Sequence, residues 1–148
     1  MKLNTSAFSD GGTIPKKYTR EGANMNPALH LEEIPDKARS LALLVDDPDA
    51  PGGTFNHWLL YNVDPKTKDI KENSAPVIAT QGRNDFGDNE YDGPQPPSGE
   101  HRYLFKAFAL DTVLDLPRGA KRQDVERAMQ GHVLDQAALM GRYARVSS

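Results

Sequence analysis

The stretch that most constrains the fold is residues 41–63, LALLVDDPDAPGGTFNHWLLYNV. Leu41 to Val45 form a short continuous apolar run without helical spacing, which predicts a buried strand. Pro48 and Pro51 then interrupt strand pairing, because proline has no backbone N–H, and two glycines supply a turn. The chain returns in a second predicted strand with both faces engaged, in which Phe55, His57, Leu59 and Tyr61 alternate with Asn56, Trp58, Leu60 and Asn62.

Three carboxylates lie in the connection between these two predicted strands. Asp46, Asp47 and Asp49 end the first strand within a stiff, proline-containing loop, and His57 lies near the start of the second strand. A histidine beside carboxylates at strand ends indicates a site. We expect Asp47 and Asp49 to belong to it. Asp46, which alternates with Asp47, is expected to face solvent or to cap the turn.

Another core strand is predicted at His101–Asp111, and its alternation places His101 and Tyr103 on one face. The residues before it, Gln81 to Glu100, lack a regular pattern. An irregular stretch of that length inside a compact domain is often functional. Its prolines provide rigid walls and its glycines, Gly93 among them, allow close backbone approach, as a small-ligand pocket requires.

The rest of the sequence predicts short strands and a helical C-terminus. Prolines and glycines separate the short runs before residue 120, as in an all-β fold with long connections, and candidate strands lie at Asn4–Phe8, Ala28–Glu33 and Pro76–Thr80. From Gln123 to Tyr143 apolar residues recur near helical spacing. Gly131 destabilises a helix interior by about 1 kcal/mol relative to alanine, so a kink or two helices are expected there. The sequence therefore predicts a mainly β fold with a C-terminal helical cap.

Length and charge limit the functions open to the chain. Its 148 residues fit a single domain, residues 1–148, with a sizeable core. The net charge of −3 provides no basic field for nucleic acid or an anionic membrane. The lack of cysteine excludes disulfides, thiolate metal sites and a cysteine nucleophile. Since neither a signal peptide nor a transmembrane segment is visible, we expect a cytoplasmic protein.

Six motifs occur along the chain in a fixed order. They are the segments Phe8–Pro15, Asp47–Pro51 (DPDAP), His57-Trp58, Asn84–Gly87 (NDFG), Gly93–Tyr103 (ending in HRY) and Gly141–Arg145. In these motifs the chain resembles the phosphatidylethanolamine-binding protein (PEBP) family. The bacterial and archaeal branch, often called Raf-kinase-inhibitor-like, is the most similar part of that family. The resemblance covers nearly the whole chain.

The resemblance implies both a fold and a pocket. The fold of the family is a β-sandwich with a Greek-key-like core and short flanking helices. Its pocket binds small anions such as phosphate, acetate or a phospholipid head group, and it requires no metal or cofactor. Eukaryotic members continue into a further C-terminal helix, whereas this sequence ends soon after Tyr143, so a more open mouth is expected. Carried over residue by residue, the pocket consists of Asp47, Asp49, His57, Gly93, Pro94, His101 and Tyr103.

These residue types suit a small anionic or phosphorylated ligand. Histidine N–H groups, a tyrosine hydroxyl and loop amides donate hydrogen bonds to phosphoryl oxygens. A carboxylate can orient a histidine ring or accept a hydrogen bond from an ethanolamine ammonium group. His101 in the same pattern favours a binding role for His57 over a structural one. Arg102 is expected to pair with an acid of the loop, and His30 and His132 are expected to be structural.

Two other functions remain open at this point. The family includes regulators of kinases and proteases, and its bacterial and archaeal members are often homodimers, so the resemblance implies a homodimer and a protein partner that the sequence does not identify. The alternative is a metal-dependent or acid–base hydrolase that uses His57, His101 and Asp47. The sequence contains no nucleophile elbow and no clustered metal-ligand motif, which favours anion binding over hydrolysis.

Overall fold

The computed structural model describes residues 1–146, and Ser147 and Ser148 of the predicted domain 1–148 lie outside the described residues. Residues 1–146 contain eight β-strands, one α-helix and a short 3-10 helix at Lys16–Tyr18. No helix within residues 1–146 is long and apolar enough to cross a membrane. The elements are β1 (Lys2–Asn4), β2 (Leu29–Glu32), β3 (Ser40–Asp47), β4 (Phe55–Val63), β5 (Asp69–Ile70), β6 (Thr80–Gln81), β7 (Glu100–Leu110), α1 (Arg122–Met129) and β8 (Val133–Ala144).

The strands form two antiparallel sheets. One has five strands in the spatial order β6-β4-β3-β7-β8, and the other has three in the order β1-β2-β5. Strand β3 lies at the centre of the larger sheet, between its sequence neighbour β4 and the distant strand β7. The mainly β fold predicted from the sequence is confirmed.

The five-stranded sheet is covered on both faces. We call the face that packs on the three-stranded sheet the inner face, and the face that packs on α1 the outer face. Full burial of one leucine-sized side chain stabilises a fold by about 1.5–3 kcal/mol, so both layers contribute substantially. Buried inner-face residues include Leu41, Leu43, Val45, Trp58 and Phe105, clustered with Leu29 and Leu31 of β2. Buried outer-face residues include Ala42, Leu44, Leu59 and Tyr61, clustered with Val125 and Met129 of α1.

The three predicted core strands are confirmed as β3, β4 and β7, but two minor strands were misplaced. The first strand is Lys2–Asn4 rather than Asn4–Phe8, because the chain turns at Thr5, whose hydroxyl accepts a hydrogen bond from the Ala7 amide. Strand pairing before β7 begins only at Thr80 and not at Pro76. Proline cannot donate to a β-ladder, which is consistent with that later start.

The predicted C-terminal helix is correct only in its first part. Helix α1 ends at Met129, Gly131 adopts a φ of +80°, and the chain continues as β8 rather than as a kinked or second helix. Strand β8 pairs with β7 along its length, with Tyr143 opposite His101. Its buried residues alternate as they do in a strand. Pairing with β7 therefore overrides an apolar spacing that also fits a helix.

Two of the sequence motifs contact each other at the edge of β8. The Gly11 amide donates to the Met140 carbonyl at 2.7 Å, and the Ile14 amide donates to the Arg142 carbonyl at 2.8 Å. The Ile14 side chain fills the space beside Gly141, where a Cβ would lie only 2.5 Å from Ile14 Cγ1. A larger residue at Gly141 would displace this segment, which covers part of an otherwise open strand edge.

Candidate functional site

Four of the predicted site residues lie at one end of the inner face. Asp47 ends β3, His57 lies near the start of β4, and His101 and Tyr103 lie near the start of β7. Because β3 is antiparallel to both β4 and β7, these three strand ends meet at the same edge. All four side chains are buried. We call this group of four residues the histidine site.

A β-bulge in β4 turns His57 toward Tyr103. Two consecutive residues of β3 pair with Trp58 and Asn56, which leaves His57 without a partner in β3. Its ring packs edge-on against Tyr103, with the ring centroids 5.2 Å apart. Simple alternation predicts His57 on the face of Leu59, and this is wrong because one extra residue reverses the alternation.

Asp47 holds the ring of His101. Oδ2 of Asp47 lies 2.6 Å from Nδ1 of His101, and Oδ1 accepts a hydrogen bond from the Asp49 amide at 2.8 Å. Both carboxylate oxygens are therefore occupied. A carboxylate only accepts when ionised, so Nδ1 of His101 carries the proton. Nε2 of His101 has no hydrogen-bond partner among residues 1–146 and remains available to a ligand.

His57 is held by backbone oxygens instead of a carboxylate. Its Nδ1 lies 2.7 Å from the Asp92 carbonyl and 3.1 Å from the Gly93 carbonyl. The ring also contacts Phe55 and Phe86 edge-on. Burial lowers the pKa of His57, and the two carbonyls and nearby carboxylates oppose this shift only in part. This environment favours the neutral ring.

The hydroxyl of Tyr103 is an unpaired buried polar atom. The residue is 1% exposed, and its hydroxyl makes no hydrogen bond of ordinary geometry within residues 1–146, although the Gln95 backbone lies near enough to oppose in part the effect of burial on its pKa. Burial raises the pKa of Tyr103, with a further contribution from the charge of Asp47, so the hydroxyl keeps its proton at neutral pH. Most buried polar atoms in folded proteins are paired, so such an exception is informative.

The predicted partner of Arg102 is Asp49. The Asp49 carboxylate accepts hydrogen bonds from Nε, Nη2 and the backbone amide of Arg102 at 2.8–2.9 Å. These bonds hold the pKa of Asp49 at about 2. Arg102 thus forms the ion pair that the sequence predicts. Direct ligand contact by Asp49 stays a prediction, and it would require a carboxylate already engaged at both oxygens.

Gly93 allows close packing within the protein. A Cβ there would lie 2.2 Å from the Tyr18 carbonyl, so the glycine lets the loop pack on residues 18–19. Its amide donates to Asn24 Oδ1 at 2.7 Å, and its carbonyl faces His57. The neighbouring Pro94 carbonyl accepts from the Arg20 amide. Ligand contact by Gly93 and Pro94 stays a prediction.

Sequence reasoning missed the residue that fixes this loop, Asp92. Its buried carboxylate accepts hydrogen bonds from Arg20 at 3.1 Å, Asn24 at 3.3 Å and Asn84 at 2.9 Å. Its own carbonyl is the closer of the two acceptors for His57. The NDFG motif could have indicated this role of Asp92. Its Asn84 donates both to the Asp92 carboxylate and, at 3.3 Å, to the His57 carbonyl.

Asp46 is placed incorrectly by the sequence prediction. It is fully buried on the outer face, where Oδ1 accepts from Arg122 Nε and Asn56 Nδ2, both at 3.0 Å. Lys106 Nζ lies 3.4 Å from Oδ2. Arg122 belongs to α1, which lies far along the chain, so no local pattern around Asp46 could have indicated burial.

Other polar clusters have partners of their own. A surface cavity of about 840 Å³ is lined by His30 and neighbouring charged residues, but His30 already pairs with Asp69 at 2.7 Å. His132 likewise pairs with Asp111 at 2.7 Å. Both histidines, expected to be structural, thus pair with an acidic side chain. In residues 1–146 the single group of three acidic or histidine ligand atoms within 4.8 Å of one another belongs to Asp88, Glu90 and Asp92.

Comparison with proteins of known structure identifies the class of this fold. A crystal structure from Chlamydia trachomatis, described as a homologue of phosphatidylethanolamine-binding protein, superposes with a TM-score of 0.93 and 40% identity over 97% of each chain. The structure of Escherichia coli YbcL, described as a member of the mammalian PEBP family, superposes with a TM-score of 0.91 and 26% identity over 97% of this chain and 98% of YbcL.

Sequence comparison agrees with the structural comparison. A UPF0098 protein of Methanothermobacter thermautotrophicus is 49% identical over 98% of this chain and 99% of its own length. A UPF0098 protein of Aquifex aeolicus is 43% identical over 98% of this chain and 89% of its own length. A model of the family described as phosphatidylethanolamine-binding protein matches residues 4–144. The chain belongs to the phosphatidylethanolamine-binding protein family.

Proposed function

We propose that the histidine site binds a small oxyanion, in particular a phosphate or phosphorylated head group. The observation that carries this proposal is the Tyr103 hydroxyl, which is buried without a partner in the described chain. Leaving a buried hydroxyl unpaired destabilises a fold, and a ligand oxygen would satisfy it. His101, whose Nε2 has no partner, precedes Tyr103 by two residues and lies on the same face of β7.

The charges around the histidine site support a ligand of small negative charge. The carboxylate of Asp49 is neutralised by Arg102, and that of Asp47 faces His101. When His101 gains a second proton at Nε2, it becomes an imidazolium that donates to the ligand while Asp47 balances its charge.

The hydrolase alternative gains no support from the same atoms. In both histidines Nδ1 is committed to an acceptor. Within residues 1–146, the side-chain ligand atoms of His57, His101 and Asp47 do not all lie within 4.8 Å of one another, whereas those of Asp88, Glu90 and Asp92 do. Regulation of a partner protein, a homodimer and a cytoplasmic location stay predictions from the sequence. Light scattering at micromolar concentration tests the dimer, and a monomer alone would contradict it.

The proposal is tested by titrating the metal-stripped protein with phosphate and with phosphoethanolamine. Calorimetry in two buffers of different ionisation enthalpy measures both affinity and proton uptake. We expect saturable binding that shifts the NMR signals of His57 and His101 but not those of His132, whose acidic partner lies at the far end of β7. The absence of saturable binding by either compound would contradict the proposal.

The matched variants are His101→Ala and His132→Ala. His101→Ala removes the ring from the ligand, so we expect phosphate affinity to fall about tenfold or more. Because it also leaves the buried carboxylate of Asp47 without its side-chain partner, the thermal midpoint should fall while the protein remains folded. His132→Ala removes an exposed ring paired with Asp111 and should leave affinity unchanged. An unfolded His101→Ala protein would show that the residue is structural.

A further inference from the structure

The two histidines of the site differ in the partner of Nδ1, which is the carboxylate of Asp47 at His101 and two backbone carbonyls at His57. Nδ1 of His57 faces the carbonyls of Asp92 and Gly93, and carbonyl oxygens only accept hydrogen bonds. Nδ1 therefore carries a proton, and the remaining Nε2 of a neutral ring is an acceptor. Nε2 of His57 has no hydrogen-bond partner in residues 1–146 and is not fully buried, so it borders accessible space.

The groups that face His57 keep this nitrogen an acceptor. Phe55, Phe86 and Tyr103 surround the ring edge-on. Arg20 stacks on Phe86, 4.3 Å from its ring centroid, and is paired with Asp92 at 3.1 Å. The carboxylates of Asp46 and Asp47 raise the pKa of His57, but burial, which lowers it, is the larger influence.

A second observation concerns total ligand charge. Asp47 lies beside the site with both oxygens engaged, one by His101 and one by the Asp49 amide. The negative charge of Asp47 repels a dianion more strongly than a monoanion, because Coulomb energy scales with the ligand charge. The site thus combines an acceptor at His57 with a hydroxyl donor at Tyr103 and with the ring of His101, which donates from Nε2 when a second proton is bound and balanced by Asp47.

We infer that the histidine site selects a phosphoryl group that still carries one proton, so that its P–OH donates to Nε2 of His57 while its other oxygens accept from His101 and Tyr103. The inference rests on the proposed function and names the ligand class: dihydrogen phosphate or a phosphate monoester monoanion. Sulfate esters and phosphodiesters carry the same single charge without that proton. They would place an oxygen lone pair against Nε2, leaving it unpaired.

The decisive probes are methyl phosphate and methyl sulfate. At pH 5 methyl phosphate is mainly a monoanion, since the second pKa of a phosphate monoester is about 6. It then matches methyl sulfate in charge and closely in shape, and differs by the proton on one oxygen. Calorimetry at pH 5 should give at least tenfold tighter binding of methyl phosphate. The affinity for methyl phosphate should decline relative to the affinity for methyl sulfate as the pH rises above 6.

Each outcome has a separate meaning. Equal affinities, or tighter binding of methyl sulfate, would overturn the selection of a protonated ligand and leave the oxyanion site intact. Failure of both probes and of phosphate would overturn the proposed function itself. Long-range ¹⁵N–¹H NMR of the methyl phosphate complex adds a direct reading of His57. Nε2 should be unprotonated in the complex, and an imidazolium at His57 would contradict the inference.

A matched pair of variants tests the role of His57. An amide can rotate to offer either a donor or an acceptor, so His57→Gln should reduce the preference for methyl phosphate to less than about threefold. His132→Gln is the control and should keep the full preference, because His132 pairs with Asp111 outside the site. Should His57→Gln fail to fold, the NMR state of His57 in the parent protein decides the question.

Discussion

Asp46 and Asp47 are consecutive buried acids of one strand, and they lie in contrasting surroundings on its two faces. Asp46, on the outer face, is held by Arg122, Asn56 and Lys106. Asp47, on the inner face, is held by the ring of His101 and a backbone amide. The partners of Asp46 include a guanidinium and an ammonium group, whereas the side-chain partner of Asp47 is an imidazole ring.

This difference separates a structural ion pair from a candidate site. Around Asp46 the partners are a guanidinium, an ammonium and an amide, which hold the buried carboxylate in a structural ion pair. Around Asp47 the side-chain partner is the ring of His101. Each surrounding contains one buried polar atom without a partner, Asn56 Oδ1 beside Asp46 and the Tyr103 hydroxyl on the face of Asp47, so these atoms alone do not separate the two. Burial alone therefore does not distinguish the two acids. The chemistry of the groups that bind each carboxylate does.

The largest expected effect is on stability, from Asp46→Asn. The change leaves Arg122 and Lys106 beside a neutral amide in a region where Asp46 is fully buried. Removing one member of a buried ion pair costs about 3–5 kcal/mol, and the partial exposure of both cations places this case near the lower end. Urea unfolding measures the change.

The matched control is Asp47→Asn, which removes a hydrogen-bond partner of a histidine rather than of a permanent cation. Its expected cost is about 1 kcal/mol. If Asp47→Asn were the more destabilising of the two substitutions, the outer face would not be the structural one and the contrast would be reversed.

An intermediate effect, on affinity alone, is expected from Tyr103→Phe. Because the hydroxyl has no partner in the described chain, its removal should not lower the free energy of unfolding. Phosphate affinity should fall severalfold, as one donor is lost. The measurements are calorimetry and urea unfolding on the same preparation. A loss of stability with unchanged affinity would instead indicate that the hydroxyl has a structural role.

The smallest effect should come from Asp49→Asn at the exposed rim. Arg102 holds the pKa of Asp49 at about 2, below its ordinary value near 3.8. A carboxyl with a depressed pKa stabilises the fold above its unfolded-state pKa, and this contribution is lost as the pH falls through the folded-state value. Solvent screening of this exposed pair keeps the contribution small.

Between pH 4 and pH 2 the thermal stability of Asp49→Asn should depend on pH differently from that of the parent protein. Thermal melts of the parent should lose stability across this range slightly more steeply than melts of Asp49→Asn. At pH 7 the two midpoints should nearly coincide. A large difference at pH 7 would show that Asp49 is coupled to the histidine site rather than to Arg102 alone.

Local patterns in the sequence were sufficient for the central strands. Four residues named by the resemblance, Asp47, His57, His101 and Tyr103, lie together at one end of the inner face, and their contacts with a ligand stay a prediction. Leu41 to Val45 and His101 to Leu110 have unambiguous strand patterns, and both are buried strands in the structure. The segment after Gly131 was assigned to helix because its apolar spacing fits either element. Only the presence of β7 as a pairing partner decides in favour of β8.

The surroundings of single side chains were less predictable, for a related reason. The bulge that turns His57 adds one residue to a ladder, and the sequence around it continues to alternate. Asp46 is buried because Arg122 reaches it from a helix 76 residues away. Asp92 supports His57 through its carbonyl, which every residue type possesses. Features that depend on distant or backbone groups leave little trace in local sequence.

The pairing of β3 with the distant strand β7 has a consequence for folding. The Asp47–His101 contact joins residues 54 positions apart, and the Arg20–Asp92 contact joins residues 72 apart. Contacts of such separation form late, because closing long loops costs chain entropy. A growing or partly folded chain therefore holds the β3–β4 hairpin without a completed site. A ligand cannot guide the early steps of folding, and it stabilises the finished protein only by mass action.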